Sequence, residues 1–271
     1  MPEGPEIRQA ADLVEKALKG ERVVELFFAF PELKPYEAIL EQAKVSRVRT
    51  KGKAMLIDWD NGYTIYSHNQ LYGRWYVKEA YQYPVTNRTL RMALHTENHS
   101  ALLYSASEIT VFPTAEQHLH PFLARIGPDL LSENVSEEAL TERIQSKTFR
   151  NRMWASLLLD QKFVAGNGNY LRSEILFAAG IRPESRPVDC SVAQQQLAAK
   201  AMIQLTWQSY ETGGITTDLA IADQLRSEGK KRRDYRHWVF NRKGAPCHIC
   251  QTPIQKMVIG GRRLYYCPAC Q

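Results

Sequence analysis

Apolar residues return every three or four positions from Pro5 to Leu18, with Ile7, Ala10, Ala11, Val14 and Leu18 on one face. That spacing predicts an amphipathic helix over 5–18, and Pro5 suits its first turn. From Arg22 to about Phe112 the period changes to two. Runs rich in Val, Ile, Tyr, Phe and Trp predict strands at 22–30, 45–49, 53–59, 63–68, 72–78, 89–95, 100–104 and 108–112. Turn signals such as Asp60-Asn61-Gly62 separate them. Short strands at this spacing predict a two-sheet sandwich. Beyond Pro121 the helical period returns, predicting helices at 136–146, 150–160, 170–179, 192–210 and 217–227. Ser191-x-x-Gln194 has the form of a capping box, and Gly180 with Pro183 makes a stop signal. The fold class is therefore α+β, a β-sandwich with an N-terminal helix followed by a helical half, the change falling within 113–135.

Composition narrows the picture in three ways. No run of 18 apolar residues and no basic-then-apolar leader occurs, so we expect neither a membrane span nor a signal peptide, and a cytoplasmic protein. Charge is polarised. Residues 226–271 hold eleven lysines and arginines against two acids, a balance of +9 that leaves −3 for the rest of the chain. Such a tail implies a polyanionic partner, nucleic acid ahead of a membrane surface. Third, Cys247-x2-Cys250 and Cys267-x2-Cys270 stand 16 residues apart, which fits a four-thiolate zinc site with a hairpin between the knuckles. A disulfide pair or an iron–sulfur site are the alternatives, and the missing signal peptide argues against the first. Four sulfurs leave no open position, so one zinc here is structural. Cys190 is left over as an inert thiol.

The chain opens Met1-Pro2-Glu3-Gly4-Pro5-Glu6. Pro2 is small enough for Met1 to be trimmed, which exposes a secondary amine. An α-amine titrates near ~8 against ~10.4 for lysine, so more of it is nucleophilic at neutral pH. Attack on a sugar aldehyde carbon gives an iminium that cannot lose an N–H proton and so acts as an electron sink. Glu3 beside it is a ready proton donor or acceptor. A common processed start reads the same way from these residues alone. Farther on, Ala165-Gly166-Asn167-Gly168-Asn169 lies between two predicted helices, with Asn169 as the expected N-cap of helix 170–179. Amides at a helix start bind phosphate, although a Gly/Asn turn is often only a turn.

Together these pieces resemble the formamidopyrimidine-DNA glycosylase/endonuclease VIII family along essentially the whole chain. The resemblance rests on Pro2-Glu3-Gly4-Pro5-Glu6, Lys51-Gly52-Lys53, Ser67-His68-Asn69-Gln70-Leu71-Tyr72-Gly73, the stretch His120–Asp129, Gly166-Asn167-Gly168-Asn169-Tyr170 and the four cysteines. Gln70-Leu71-Tyr72-Gly73 points to the endonuclease VIII branch. The resemblance implies domains at 1–125 (catalytic β-sandwich), 126–236 (helix–two-turn–helix) and 237–271 (zinc finger). It implies Pro2 as nucleophile, Glu3 as general acid, and Lys53 in proton transfer or phosphate contact, where a lysine after glycine is otherwise a solvated turn residue. Arg262 matches the family's zinc-hairpin arginine, five residues before the third cysteine and tied to phosphate binding and δ-elimination. Arg263 would point to the other face of a strand. Gln70, Arg125 and Asn169 match DNA contacts, and Leu71 and Tyr72 would wedge into the stack. His68 reads as a packing or hydrogen-bonding residue.

The implied activity is a bifunctional DNA glycosylase and AP lyase for oxidised bases, mainly pyrimidines. Its partner is double-stranded DNA carrying oxidised bases or abasic sites, met by a monomer associated with the bacterial nucleoid. A non-catalytic zinc-ribbon protein that senses bent or damaged DNA is the alternative from another class. The Pro2-Glu3 start separates the two, since a binder has no use for a free secondary amine.

Overall fold

The structure, a computed structural model, describes residues 2–132 and 134–271; Met1 and Glu133, and with Met1 the expected trimming, lie outside the described residues. Two compact units are present, one ending at Arg125 and one spanning Ile126–Gln271.

The first unit runs α1 (Gly4–Leu18), β1 (Glu25–Phe28), α2 (Pro35–Leu40), β2 (Val45–Lys51), β3 (Ala54–Trp59), β4 (Tyr63–His68), β5 (Arg74–Glu79), β6 (Leu90–His95), β7 (His99–Tyr104) and β8 (Glu108–Pro113). Its strands form two antiparallel four-stranded sheets, ordered β2-β3-β4-β8 and β1-β6-β7-β5. Alternation sends Val48, Met55, Ile57 and Ile65 from one sheet and Phe28, Met92, Leu94 and Leu103 from the other into a single core. Ile7, Ala11, Val14 and Leu18 of α1 join that core. Ile7, Val14 and Leu18 each contribute ~1.5–3 kcal/mol on burial, which is why the helix is held against the sheets. The outer face of the first sheet is not bare either. Ala54, Leu56 and Tyr66 are fully buried there under Phe122 and Leu123. The short helix α2 was not expected from the pattern, although Pro35 at its first turn is the usual start signal.

The second unit runs α3 (Glu137–Gln145), α4 (Trp154–Leu157), α5 (Asn169–Ala178), α6 (Val192–Glu211), α7 (Leu219–Ser227), α8 (Arg232–Tyr235), β9 (Gln255–Ile259) and β10 (Arg262–Tyr266). Ser191 and Gln194 form the expected capping box on α6, with bonds of 3.2 and 3.1 Å. After α5, Gly180 takes φ +61°, and the Ile181 N–H donates to Leu176 O at 3.0 Å, closing the helix. The helix expected over 150–160 shrinks to the single turn of α4. The reason is tertiary: the Trp154 and Ala155 N–H groups donate to Ser185 O and Pro183 O instead of to their own preceding turn. No helix among the described residues is long and apolar enough to cross a membrane.

Candidate active site and metal centre

Helix α1 runs antiparallel to β2. Lys19 bridges Val45, and Glu15 Oε1 accepts from the Val48 N–H at 3.5 Å. At ~1.5 Å per helical residue, Gly4 lies about 16 Å beyond Glu15, and at ~3.3 Å per strand residue β2 ends at Lys51 about 10 Å beyond Val48, with the Gly52–Lys53 turn just past it. The helix start and the Gly52–Lys53 turn are therefore at the same end of the first unit. Pro2 is half-buried there and Glu3 is 3% exposed. The Glu3 N–H donates to Glu6 Oε2 at 3.0 Å, which fixes the backbone immediately behind Pro2. Lys53 is 8% exposed, not the solvated residue that a two-residue hairpin turn usually carries.

Strand pairing brings a second group to the same end. Ala54 is opposite His68, and His68 is opposite Glu108. After β4 the chain turns through Gln70, Leu71 and Tyr72, and the Gly73 N–H closes the turn on Asn69 O at 2.7 Å. A Cβ at Gly73 would meet the Asn69 backbone at 2.6 Å, so only glycine closes it this tightly. Gln70 has φ +48°, and its N–H donates to His68 Nδ1 at 3.1 Å. That bond needs an unprotonated Nδ1. Burial holds the imidazole below its ordinary range; the Glu108 charge opposes this and the Lys53 charge adds to it. His68 is thus a neutral hydrogen-bonding residue, as its sequence context suggested. Leu71 and Tyr72 are 58% and 70% exposed, so the turn presents two large apolar groups to solvent. Arg125 is exposed at the end of this unit, its Nε donating to Pro121 O at 2.9 Å.

In the second unit, the turn at 165–168 leads into α5, whose N-cap is Gly168; Asn169, expected as the cap, is the first helical residue. The first intrahelical bond is from the Arg172 N–H to Gly168 O at 3.1 Å. The Asn169 side chain instead accepts from Arg172 Nη2 at 3.4 Å, and the same nitrogen donates to Arg263 O at 2.9 Å. One fully buried arginine therefore ties the start of α5 to the β9–β10 hairpin and brings Asn169 and the Arg262–Arg263 pair into one neighbourhood. Both arginines are exposed beside the Gly260–Gly261 turn; Arg262 shares its strand face with buried Leu264, and Arg263 with Tyr265. Glu174, also fully buried, accepts from the N–H groups of Trp238, Val239 and Phe240 at 2.7–3.0 Å and from the Thr216 hydroxyl at 2.6 Å. Burial pushes its carboxyl up, against those four donors. Neither Arg172 nor Glu174 was singled out from the sequence. A charge within an apolar run of α5 was the available signal.

The four cysteine sulfurs lie within 4.8 Å of one another, with edges of 3.4 Å (Cys250–Cys267 and Cys250–Cys270) and 3.9 Å (Cys247–Cys270). Tetrahedral zinc with bonds of ~2.3 Å separates its sulfurs by about 3.8 Å, so the set fits. The site holds one structural zinc, and all four ligand positions are taken by sulfur.

Comparison with known proteins agrees with this layout. The formamidopyrimidine-DNA glycosylase N-terminal domain model matches residues 1–107, the H2TH domain model of the same family matches 126–220, and a zinc finger found in FPG and IleRS matches 244–271. The chain is 45% identical over 271 residues to endonuclease 8 of Escherichia coli O17:K52:H18 and 44% identical to endonuclease 8 of Shigella sonnei, covering all of each chain. Its fold is similar to Lactococcus lactis formamidopyrimidine DNA glycosylase non-covalently bound to DNA containing an AP site. The TM-score is 0.82, the identity 19%, and 99% of both chains is covered. A complex of the L. lactis protein with oxidised-pyrimidine DNA gives 0.81 at 20% identity, over 100% of this chain and 99% of the other.

Proposed function

This chain belongs to the formamidopyrimidine-DNA glycosylase/endonuclease VIII family, and from that premise we propose a covalent mechanism for it that begins at Pro2. The enzyme is a DNA glycosylase with AP lyase activity that works in base excision repair. With Met1 removed, the Pro2 nitrogen attacks C1′ of the damaged nucleotide while Glu3 supplies the proton that assists departure of the base or opening of the sugar. The C1′–base bond breaks as the nitrogen adds and loses its proton, and the C1′–O4′ bond then opens, O4′ taking up a proton, to leave a C1′=N⁺ iminium. Loss of a C2′ proton then drives electrons into the iminium and expels the 3′ phosphate, and a second elimination expels the 5′ phosphate. Lys53 serves this stage in proton transfer or as a phosphate contact.

The damaged nucleotide leaves the stack to reach Pro2, and a damaged base costs less to unpair. Leu71 and Tyr72 fill the space it vacates, with Gln70 beside them. Arg125, Asn169 and Arg262 engage phosphates, which sets register without reading sequence. The preferred lesions are oxidised pyrimidines, as the Gln70-Leu71-Tyr72 turn of the endonuclease VIII branch suggests. The sister activity on oxidised purines is the rival.

One observation carries the proposal. Half-buried Pro2, buried Glu3 and buried Lys53 are at the same end of the sandwich as the exposed turn. The test is borohydride trapping on duplexes containing thymine glycol, dihydrouracil or 8-oxoguanine. A stable adduct through Pro2 is expected, strongest with the pyrimidine lesions. Protein with a retained N-terminal tag should bind DNA but form no adduct, and full activity from a blocked N-terminus removes Pro2 from the mechanism.

A further inference from the structure

The Gln70 side chain has two unlike ends, a nitrogen that only donates and an oxygen that only accepts. A solvated glutamine offers either by rotating. Gln70 is exposed, but its amide is held by a partner. Glu108, the first residue of β8, sets its Oε2 2.9 Å from Gln70 Nε2, while its Oε1 accepts from the Tyr66 hydroxyl at 3.3 Å. A carboxylate only accepts, so the Gln70 amide must turn its nitrogen to Glu108. The backbone is held as well, through the 3.1 Å bond to His68 Nδ1 in a left-handed conformation. With one N–H committed to Glu108, the side chain is left with its second N–H and with Oε1, the end turned away from Glu108.

We propose that Glu108 is a positioning residue that fixes the Gln70 amide so that its Oε1 reads the base opposite the lesion. This rests on the proposal that Gln70 enters the duplex. An oxygen facing the middle of a Watson–Crick edge pairs with the ring N–H of guanine (N1) or thymine (N3). At adenine N1 or cytosine N3 it meets a second lone pair. Guanine is the partner of cytosine, so the substrates favoured in natural duplexes are oxidised cytosines ahead of oxidised thymines, which face adenine.

The test holds the lesion constant. Dihydrouracil is placed opposite each of the four bases and kcat/KM is measured for each duplex. The wild type should favour guanine and thymine over adenine and cytosine by roughly threefold to tenfold, the range of one neutral hydrogen bond. Glu108→Gln accepts either rotation of Gln70 and should level the four values. The double variant Gln70→Glu with Glu108→Gln reverses donor and acceptor between the two positions and again leaves an oxygen outward. It should restore the preference even at lower overall rate, a result that a merely structural role for Glu108 does not give. Gln70→Ala separates the two proposals. If it retains the wild-type preference, Gln70 is not the reader and both fall. If it erases the preference while Glu108→Gln keeps it, only the role of Glu108 falls. A wild type indifferent to the opposite base overturns the inference directly.

Discussion

Glu3 combines two properties that a helix-capping glutamate seldom has together: 3% exposure and a position next to a candidate nucleophile. Replacing it with glutamine keeps the size and removes the transferable proton. Base removal needs that proton, and cleavage at a ready-made abasic site needs it less. Glu3→Gln should therefore lose base excision by ~10²–10⁴-fold, the usual worth of a general acid, with a much smaller loss of lyase activity on a preformed abasic site. Equal losses, with DNA affinity intact, would make Glu3 a structural residue. Tyr72 tests the opposite situation. It is 70% exposed, so Tyr72→Ala should leave the melting temperature essentially where it is. Stacking on a base is worth ~1–3 kcal/mol, so activity on duplex lesions should drop while single-stranded lesions, which leave no hole, are affected less. A lower melting temperature with equal loss on both substrates would mean that the residue packs rather than wedges.

Among the elements, α5 carries the most. Its residues from Tyr170 to Phe177 are all buried, and it uses Arg172, Ser173 and Glu174 to hold the hairpin and the segment at 238–240. Thr216 links Glu174 to His237, whose Nδ1 lies 2.8 Å from the Thr216 hydroxyl. Burial, aided by the charges of Arg236, Arg232 and Arg242, pushes this imidazole down to about 3. An imidazole in the unfolded chain takes up its proton near ~6.5. Between those values the unfolded state binds more protons, so the His237 contribution is present above pH ~6.5 and is lost as pH falls, by up to ~1.4 kcal/mol per unit. Glu174, pushed up by burial, titrates in the opposite sense and is present in both proteins of the comparison. The urea midpoint of His237→Gln should consequently fall less than that of the wild type between pH 6.5 and pH 5. Parallel curves would show that the histidine is not buried as a neutral group.

At the scale of the whole molecule, positive charge is gathered in the last 46 residues, +9 against −3 elsewhere, and the zinc site organises the part that carries Arg262. Cys247→Ser removes a thiolate that is fully buried. Metal analysis should give about one zinc per chain in the wild type and less in the variant, because four-thiolate sites contribute folding energy directly. Affinity for damaged duplex should fall with it. In the wild type, log affinity should decline linearly with log salt, by about 0.9 per phosphate engaged, and Arg262→Ala should reduce that slope by about one. Zinc-free protein that binds damaged DNA normally would separate the finger from DNA engagement.

Local patterns in the sequence determined a good deal. Eight alternating runs became eight strands, β4 with the expected bounds 63–68. Ser191-x-x-Gln194 capped its helix, and two knuckles sixteen residues apart closed on one another. These follow from backbone periodicity and side-chain chemistry within a few residues, which any chain displays in one dimension. The tertiary structure alone decided what depends on distant partners. The run at 150–160 has a helical period, yet its N–H groups found Ser185 and Pro183, and one turn survived. Lys53 reads as a surface lysine, and in the folded chain it is buried. Gln70 meets Glu108 across 38 residues, and Arg172 meets Arg263 across 91. Such contacts form only after strand order and helix packing have closed the loops between them. Their partners share no spacing that a linear pattern could carry, and it is the packing that selects them.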